Sequence, residues 1–94
     1  MLFVVIYHAK LEKLPEVVKM VADFKPISGV ETKAEYATAN GNFIEIVEVS
    51  DAQVLTEYIA TVGLRGGINE KIDIYPVTTF EEWLEIQKKG GMIK

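Results

Sequence analysis

The sequence predicts an α+β fold whose elements run β-α-β-β-α-β and then a further helix. Three observations predict it. The chain opens on a fully apolar run, Leu2 to His8. An Asn40-Gly41 pair sits between two strand-like segments. Two apolar stripes at helical spacing separate the remaining extended stretches.

Leu2 to His8 is rich in β-branched residues and carries no internal polar alternation, the pattern of a strand covered on both faces. Pro15 suits the first turn of a helix, where a missing N–H costs nothing. From there Leu14, Val17, Val18, Val21 and Phe24 form one stripe, ended by Pro26 and Gly29. Val30 to Ala39 alternates, with Val30, Thr32, Ala34 and Tyr36 facing one way and Glu31, Lys33 and Glu35 the other, as at a sheet edge. Asn40 and Gly41 both tolerate positive φ and signal a tight hairpin into Phe43 to Val49. Ser50 or Asp51 caps the next helix, whose stripe is Val54, Leu55, Tyr58, Ile59 and Val62. Gly63 and Gly66-Gly67 stop it.

Lys71 to Val77 reads as the last strand. Thr78 with Glu81, or Thr79 with Glu82, opens a helix with Phe80, Trp83, Leu84 and Gln87 inward. Acid lies in its first turn and Lys88-Lys89 in its last. One domain is expected: a core over 1–77, a C-terminal helix over 78–90 and a tail over 91–94. Right-handed crossovers then give a ferredoxin-like, four-stranded antiparallel sheet in order 4-1-3-2, with the two main helices on one face.

The other sheet face needs a cover. On the third strand Phe43, Glu45, Val47 and Val49 share one side, opposite Ile44, Ile46 and Glu48. On the fourth, Tyr75 and Val77 lie opposite Ile72 and Ile74. Seating the helices on the isoleucines leaves Phe43, Val47, Val49, Tyr75, Val77 and one side of the first strand (Phe3, Val5 and Tyr7, or Leu2, Val4 and Ile6) uncovered, a patch larger than monomers usually expose. A second copy stacked sheet to sheet, as a dimeric α/β-barrel, is the expected cover, with Trp83 as a further contact. The alternatives are RNA bases on the aromatics or the chain's own last helix. The first is opposed by Glu45 and Asp73 and by the lack of a basic residue before Phe43.

Composition narrows the chemistry. There is no cysteine and only one histidine among 94 residues, which closes thiol catalysis, zinc ribbons and multi-histidine metal sites within one chain. A net charge of −4 with a single arginine opposes nucleic-acid binding. No segment reads as a signal peptide or a bilayer span, so a cytoplasmic location is the default, with no membrane partner. No metal and no cofactor are expected, and whether any reaction is catalysed is left open.

The polar candidates are His8, Tyr36 and Glu45. His8 ends a central strand, so it is either a general base or ligand donor, or a partly exposed strand end. Glu45 sits mid-strand among apolar residues. It either faces a pocket with its acidity weakened by burial, or pairs with Lys33 or Lys71 across the sheet. Tyr36 either lines a pocket or fills a strand surface. Arg65-Gly66-Gly67 reads as a helix stop and turn rather than an anion nest.

The opening Met1-Leu-Phe-Val-Val-Ile-Tyr-His8, the segment Asn42-Phe-Ile-Glu-Ile-Val-Glu48 with Ser50-Asp51, and the close Ile72-Asp-Ile-Tyr-Pro-Val77 resemble the domain-of-unknown-function 3303 family. That family lies within the dimeric α/β-barrel superfamily. The resemblance implies a ferredoxin-like fold and sheet-to-sheet pairing, and it implies no reaction. Tyr58 stands where a tryptophan is common, and Leu64 to Asn69 looks like an insertion. The expectation is a dimer binding a small, partly apolar molecule between sheet and helices. The alternative is a non-enzymatic regulatory or interaction module assembled through its sheet face.

Overall fold

A computed structural model describes residues 1–91, and the Met92-Ile93-Lys94 end of the expected tail lies outside the described residues. The elements are β1 (Leu2–Ala9), α1 (Leu14–Ala22), β2 (Val30–Ala37), β3 (Asn42–Val49), α2 (Ala52–Val62), β4 (Asn69–Pro76) and α3 (Phe80–Lys89). Short 3-10 turns occupy Leu11–Lys13 and Arg65–Gly67. The four strands form one antiparallel sheet in the order β2-β3-β1-β4, so the most apolar strand is internal, as expected.

Local chemistry sets the boundaries. The Asp51 side chain caps α2 by accepting from the Val54 N–H at 2.9 Å. Gln53 instead donates to Glu57, so Ser50 and Gln53 form no capping box. At α3 the cap is Thr79, in contact with Glu82. The Thr79 hydroxyl oxygen accepts from the Glu82 N–H at 3.1 Å, and the hydroxyl donates to the Glu82 carboxylate at 3.0 Å. The β2–β3 turn runs Thr38 to Gly41, with the Gly41 N–H donating to the Thr38 carbonyl. Only Gly41 takes positive φ, at 87°, so the hairpin is a longer turn with a left-handed glycine rather than the two-residue form.

Register decides which side chains meet the helices. Phe3, Val5 and Tyr7 stand opposite Val47, Glu45 and Phe43 on β3, and opposite Pro76, Ile74 and Ile72 on β4. Phe3, Val5, Tyr7, Val47 and Val49 form the main core with Leu55, Tyr58 and Ile59 of α2, and Val5 and Val47 are fully buried. Ala9, Val17 and Ile68 form a smaller core under α1, with Leu14, Met20 and Phe43 packed against it.

The structure corrects the expected faces of β3. Phe43, Val47 and Val49 lie beneath the helices, and Ile44 and Ile46 take the helix-free face with Leu2, Val4 and Ile6 of β1. The cause is that β3 is apolar on both sides, so alternation alone does not choose its inner face. Phe43, Val47 and Val49 are therefore not contact residues on an open sheet. Tyr75 keeps its expected place, across from Val4 and half exposed.

Two further expectations change. A bulge between Thr32 and Ala34 reverses the second half of β2, placing Glu35 opposite Glu45 on the helix side and Tyr36 opposite Ile44 on the other. On α1 only Val17 is buried, while Val18 and Val21, and Phe24 just past its end, are exposed, so the expected stripe does not close against the sheet along its length. In α3, Phe80, Trp83 and Ile86 are exposed and no side chain is buried, so the helix does not roof the sheet. Phe80 and Trp83 stack on each other, with ring centres 5.8 Å apart.

Gly63 closes α2 against β1 and β4. A Cβ there would meet Ile72 Cδ1 at 2.6 Å and Tyr7 Cε1 at 3.1 Å, although the backbone φ of −83° suits any residue. Gly63→Ala is therefore expected to destabilise the fold by about 1–3 kcal/mol through overpacking alone. The measurement is the urea midpoint, which falls while the slope of the transition stays unchanged.

Candidate functional site

The site grows out of one buried acid. Glu45 lies mid-strand in β3 on the helix side and is only 8% exposed. A buried carboxylate needs donors to replace its water. The Tyr58 hydroxyl, from the inner stripe of α2, donates to Oε2 at 2.9 Å. The Tyr7 hydroxyl, from the inner face of β1, donates to Oε1 in a short contact. One carboxylate thereby joins three elements. No buried side-chain polar atom among the described residues is left without a partner.

Among the described residues no cation accompanies it. The two lysines considered as cross-strand partners are engaged elsewhere, Lys33 with Glu31 at 3.0 Å and Lys71 with Asp73 at 3.6 Å. Burial raises the Glu45 pKa above the ordinary carboxylate value, and the charge of Glu35 raises it further. The hydrogen bonds from Tyr7 and Tyr58 pull it back down without cancelling the effect. Both tyrosines are pushed well above their usual pKa, by burial first and then by the adjacent Glu45 charge, so both stay protonated donors.

Beside this triad the sheet and helices part to leave an open cleft of about 450 Å³. Val17, Met20 and Val21 of α1, with Phe24 just beyond its end, form one wall, and Tyr58 and Val62 of α2 lie beside them. Tyr7, Phe43 and Glu45 form the sheet side. Phe24 meets the Tyr58 ring edge to face, with centroids 6.4 Å apart. The exposed Val21 of α1 and Phe24 thus line this opening, whereas Val18 does not. Its size falls within the roughly 300–1,000 Å³ range of small-molecule sites. Chemically the cleft offers an apolar bed and, at one end, a proton acceptor whose affinity for protons is raised.

The three polar candidates separate. Glu45 is in the cleft, and Tyr36 borders its rim while remaining 63% exposed. His8 is on the opposite sheet face, where Nε2 lies 2.9 Å from Asp73 Oδ2. That bond, followed by the charge of Lys71, lowers the Asp73 pKa. Among the dimer contacts expected from sequence, Tyr75 and Trp83 are exposed and Phe43 is part of the cleft lining. Tyr7 and Tyr58 were missed as site residues. The signal was available, since each is the only polar side chain on an otherwise apolar inner face of its element.

The described residues hold no cluster of three or more His, Asp or Glu placed for a metal ion, and no helix among them is long and apolar enough to cross a membrane. Fold and site together define a small α+β protein with a largely apolar cleft beside a buried carboxylate that two tyrosine hydroxyls hold. The chain belongs to the family described as Domain of unknown function (DUF3303), whose signature matches residues 1–91. Neither a curated protein nor a solved structure matched it.

The carboxylate makes stability pH-dependent with a definite sign. Because the folded pKa of Glu45 is raised, the folded state holds its proton more tightly, and stability falls as pH rises from the unfolded carboxylate value through the folded one. Glu45→Gln removes that slope. Denaturation of both proteins across the acid-to-neutral range is expected to show the variant gaining on the native chain as pH rises, by about 1.4 kcal/mol for each tenfold by which folding weakens the acid. Tyr58→Phe, which leaves one carboxylate oxygen without its donor, is expected to cost about 1–3 kcal/mol at neutral pH.

Proposed function

We propose that the chain is a cytoplasmic, ferredoxin-like protein that pairs sheet to sheet as a dimeric α/β-barrel. We further propose that it holds a small, partly apolar molecule between its sheet and helices. The observation that carries the ligand reading is the cleft itself, an apolar opening that ends on a carboxylate buried with hydroxyl partners alone. Burial without a cation is costly, and a structural role would be served as well by an apolar residue. A group kept there at that cost fits one used for recognition or proton exchange.

The pairing reading rests on the helix-free face. Leu2, Val4, Ile6, Ile44 and Ile46 are half-buried by their neighbours alone, with Tyr75 beside them. Covering such side chains returns about 25 cal/mol per Å² of apolar surface, enough over a whole sheet face to offset the cost of association. A second reading, assembly as an interaction module, draws on α3, where the stacked Phe80 and Trp83 lie open.

Two measurements test these readings. Light scattering behind a sizing column is expected to give a dimer or a multiple of it, and Ile46→Glu to give a folded monomer. A native monomer at micromolar concentration would defeat the pairing. N-phenyl-1-naphthylamine is expected to brighten saturably at one equivalent per chain, and Met20→Trp, which fills the cleft, to abolish the signal. No saturable binding would defeat the ligand reading and favour the interaction module.

A further inference from the structure

Resting on the cleft as a ligand site, we infer that its occupant is a cation: an apolar amine whose ammonium meets Glu45 and Glu35 while its hydrocarbon part lies along α1 and Phe43. The bulge in β2 puts Glu35 in register with Glu45 on the same side of the sheet. Side chains so placed have Cβ atoms roughly 4.5–5.5 Å apart, and like charges directly opposite destabilise a sheet. Glu35 is exposed and joins the cleft lining, and its charge acts on Glu45.

The charge count of the lining is one-sided. The titratable groups are Tyr7 from β1, Glu35 and Tyr36 from β2, Glu45 from β3 and Tyr58 from α2. The residues contributed by α1 and by the Ile68-Asn69 segment carry no charge. Among the described residues no lysine, arginine or histidine lines the opening. Tyr7 and Tyr58 occupy one position on each Glu45 oxygen, and a carboxylate has about four acceptor positions, so capacity remains for a donor from outside.

An anionic ligand would enter against two carboxylates with nothing to neutralise it. A neutral donor would satisfy Glu45 but leave the Glu35–Glu45 repulsion in place. An ammonium group answers both, and in a partly dehydrated cleft its attraction to the acids is stronger than in water. The aromatic rings of Phe24, Phe43 and Tyr58 on the same lining also favour a cation near their faces.

Three probes of one shape test this at pH 7.5: 2-(1-naphthyl)ethylamine, 2-(1-naphthyl)ethanol and 1-naphthylacetate, each titrated by calorimetry into the full chain. The amine is expected to bind at least tenfold more tightly than the alcohol, and the carboxylate not to bind measurably. Glu35→Gln, at an exposed position that leaves folding intact, is expected to reduce the amine's advantage severalfold, and Glu45→Gln to remove it. Should the alcohol or the carboxylate bind as well as the amine, the cation inference is overturned and the cleft reading stands. Should none of the three bind, both fail together.

Discussion

Much of this fold is arranged around a buried carboxylate that has no basic partner among the described residues. Glu45 sits in the central layer between sheet and helices, and its direct partners among the described residues are the hydroxyls of Tyr7 and Tyr58. These bonds tie β1, β3 and α2 together at a point where the surrounding side chains are largely apolar. A hydroxyl donor replaces part of the lost hydration but does not cancel the charge, so the site stays electrostatically unfinished. That incompleteness distinguishes it from the rest of the core, where Val5, Val47 and Val49 close against α2 with no exposed surface to spare.

The neighbouring elements respond to the same constraint. The α2 helix approaches the sheet as closely as a glycine at its end permits, with Gly63 against Ile72 and Tyr7, and this proximity brings the Tyr58 hydroxyl within reach of β3. The α1 helix does not approach to match. Val17 is buried, but Val21 and Phe24 line an opening rather than a core. A sheet flanked by one close helix and one displaced helix leaves its cavity beside the acid. The β2 bulge then turns a second carboxylate toward that cavity, where simple alternation would have turned it away.

Element order and sheet order were legible in the sequence because they follow from local signals: apolar period, caps, glycine stops and the right-handed crossover. Faces were less so. Alternation specifies a face only where one side is polar, and β1 and β3 are apolar on both sides. The choice between Phe43-Val47-Val49 and Ile44-Ile46 is made by register with Tyr7 and Val5 and by packing on α2, which no local window contains. Glu45 was legible as an anomaly. Tyr7 and Tyr58 were each legible as a lone polar side chain on an apolar face, but their convergence on Glu45 was not, because they are distant from it in sequence and only the fold brings them together. The β2 bulge carries no glycine or proline to announce it, so the reversal of Glu35 and Tyr36 could not be read from spacing.

The two sheet faces differ most in how their charges are settled, and that difference argues for separate roles. On the helix-free face the polar groups neutralise one another within the chain: Asp73 has His8 and Lys71, and Glu31 has Lys33. A face that is apolar at its centre and internally balanced in charge can be covered by an identical face without stranding an ion. On the helix side Glu45 and Glu35 face each other with no basic group lining the cleft among the described residues. The same chain thus presents one surface whose electrostatics are complete and one that a small partner of opposite charge would complete. The apolar excess on the first needs area to cover it, and the charge excess on the second needs only a single group of the right sign.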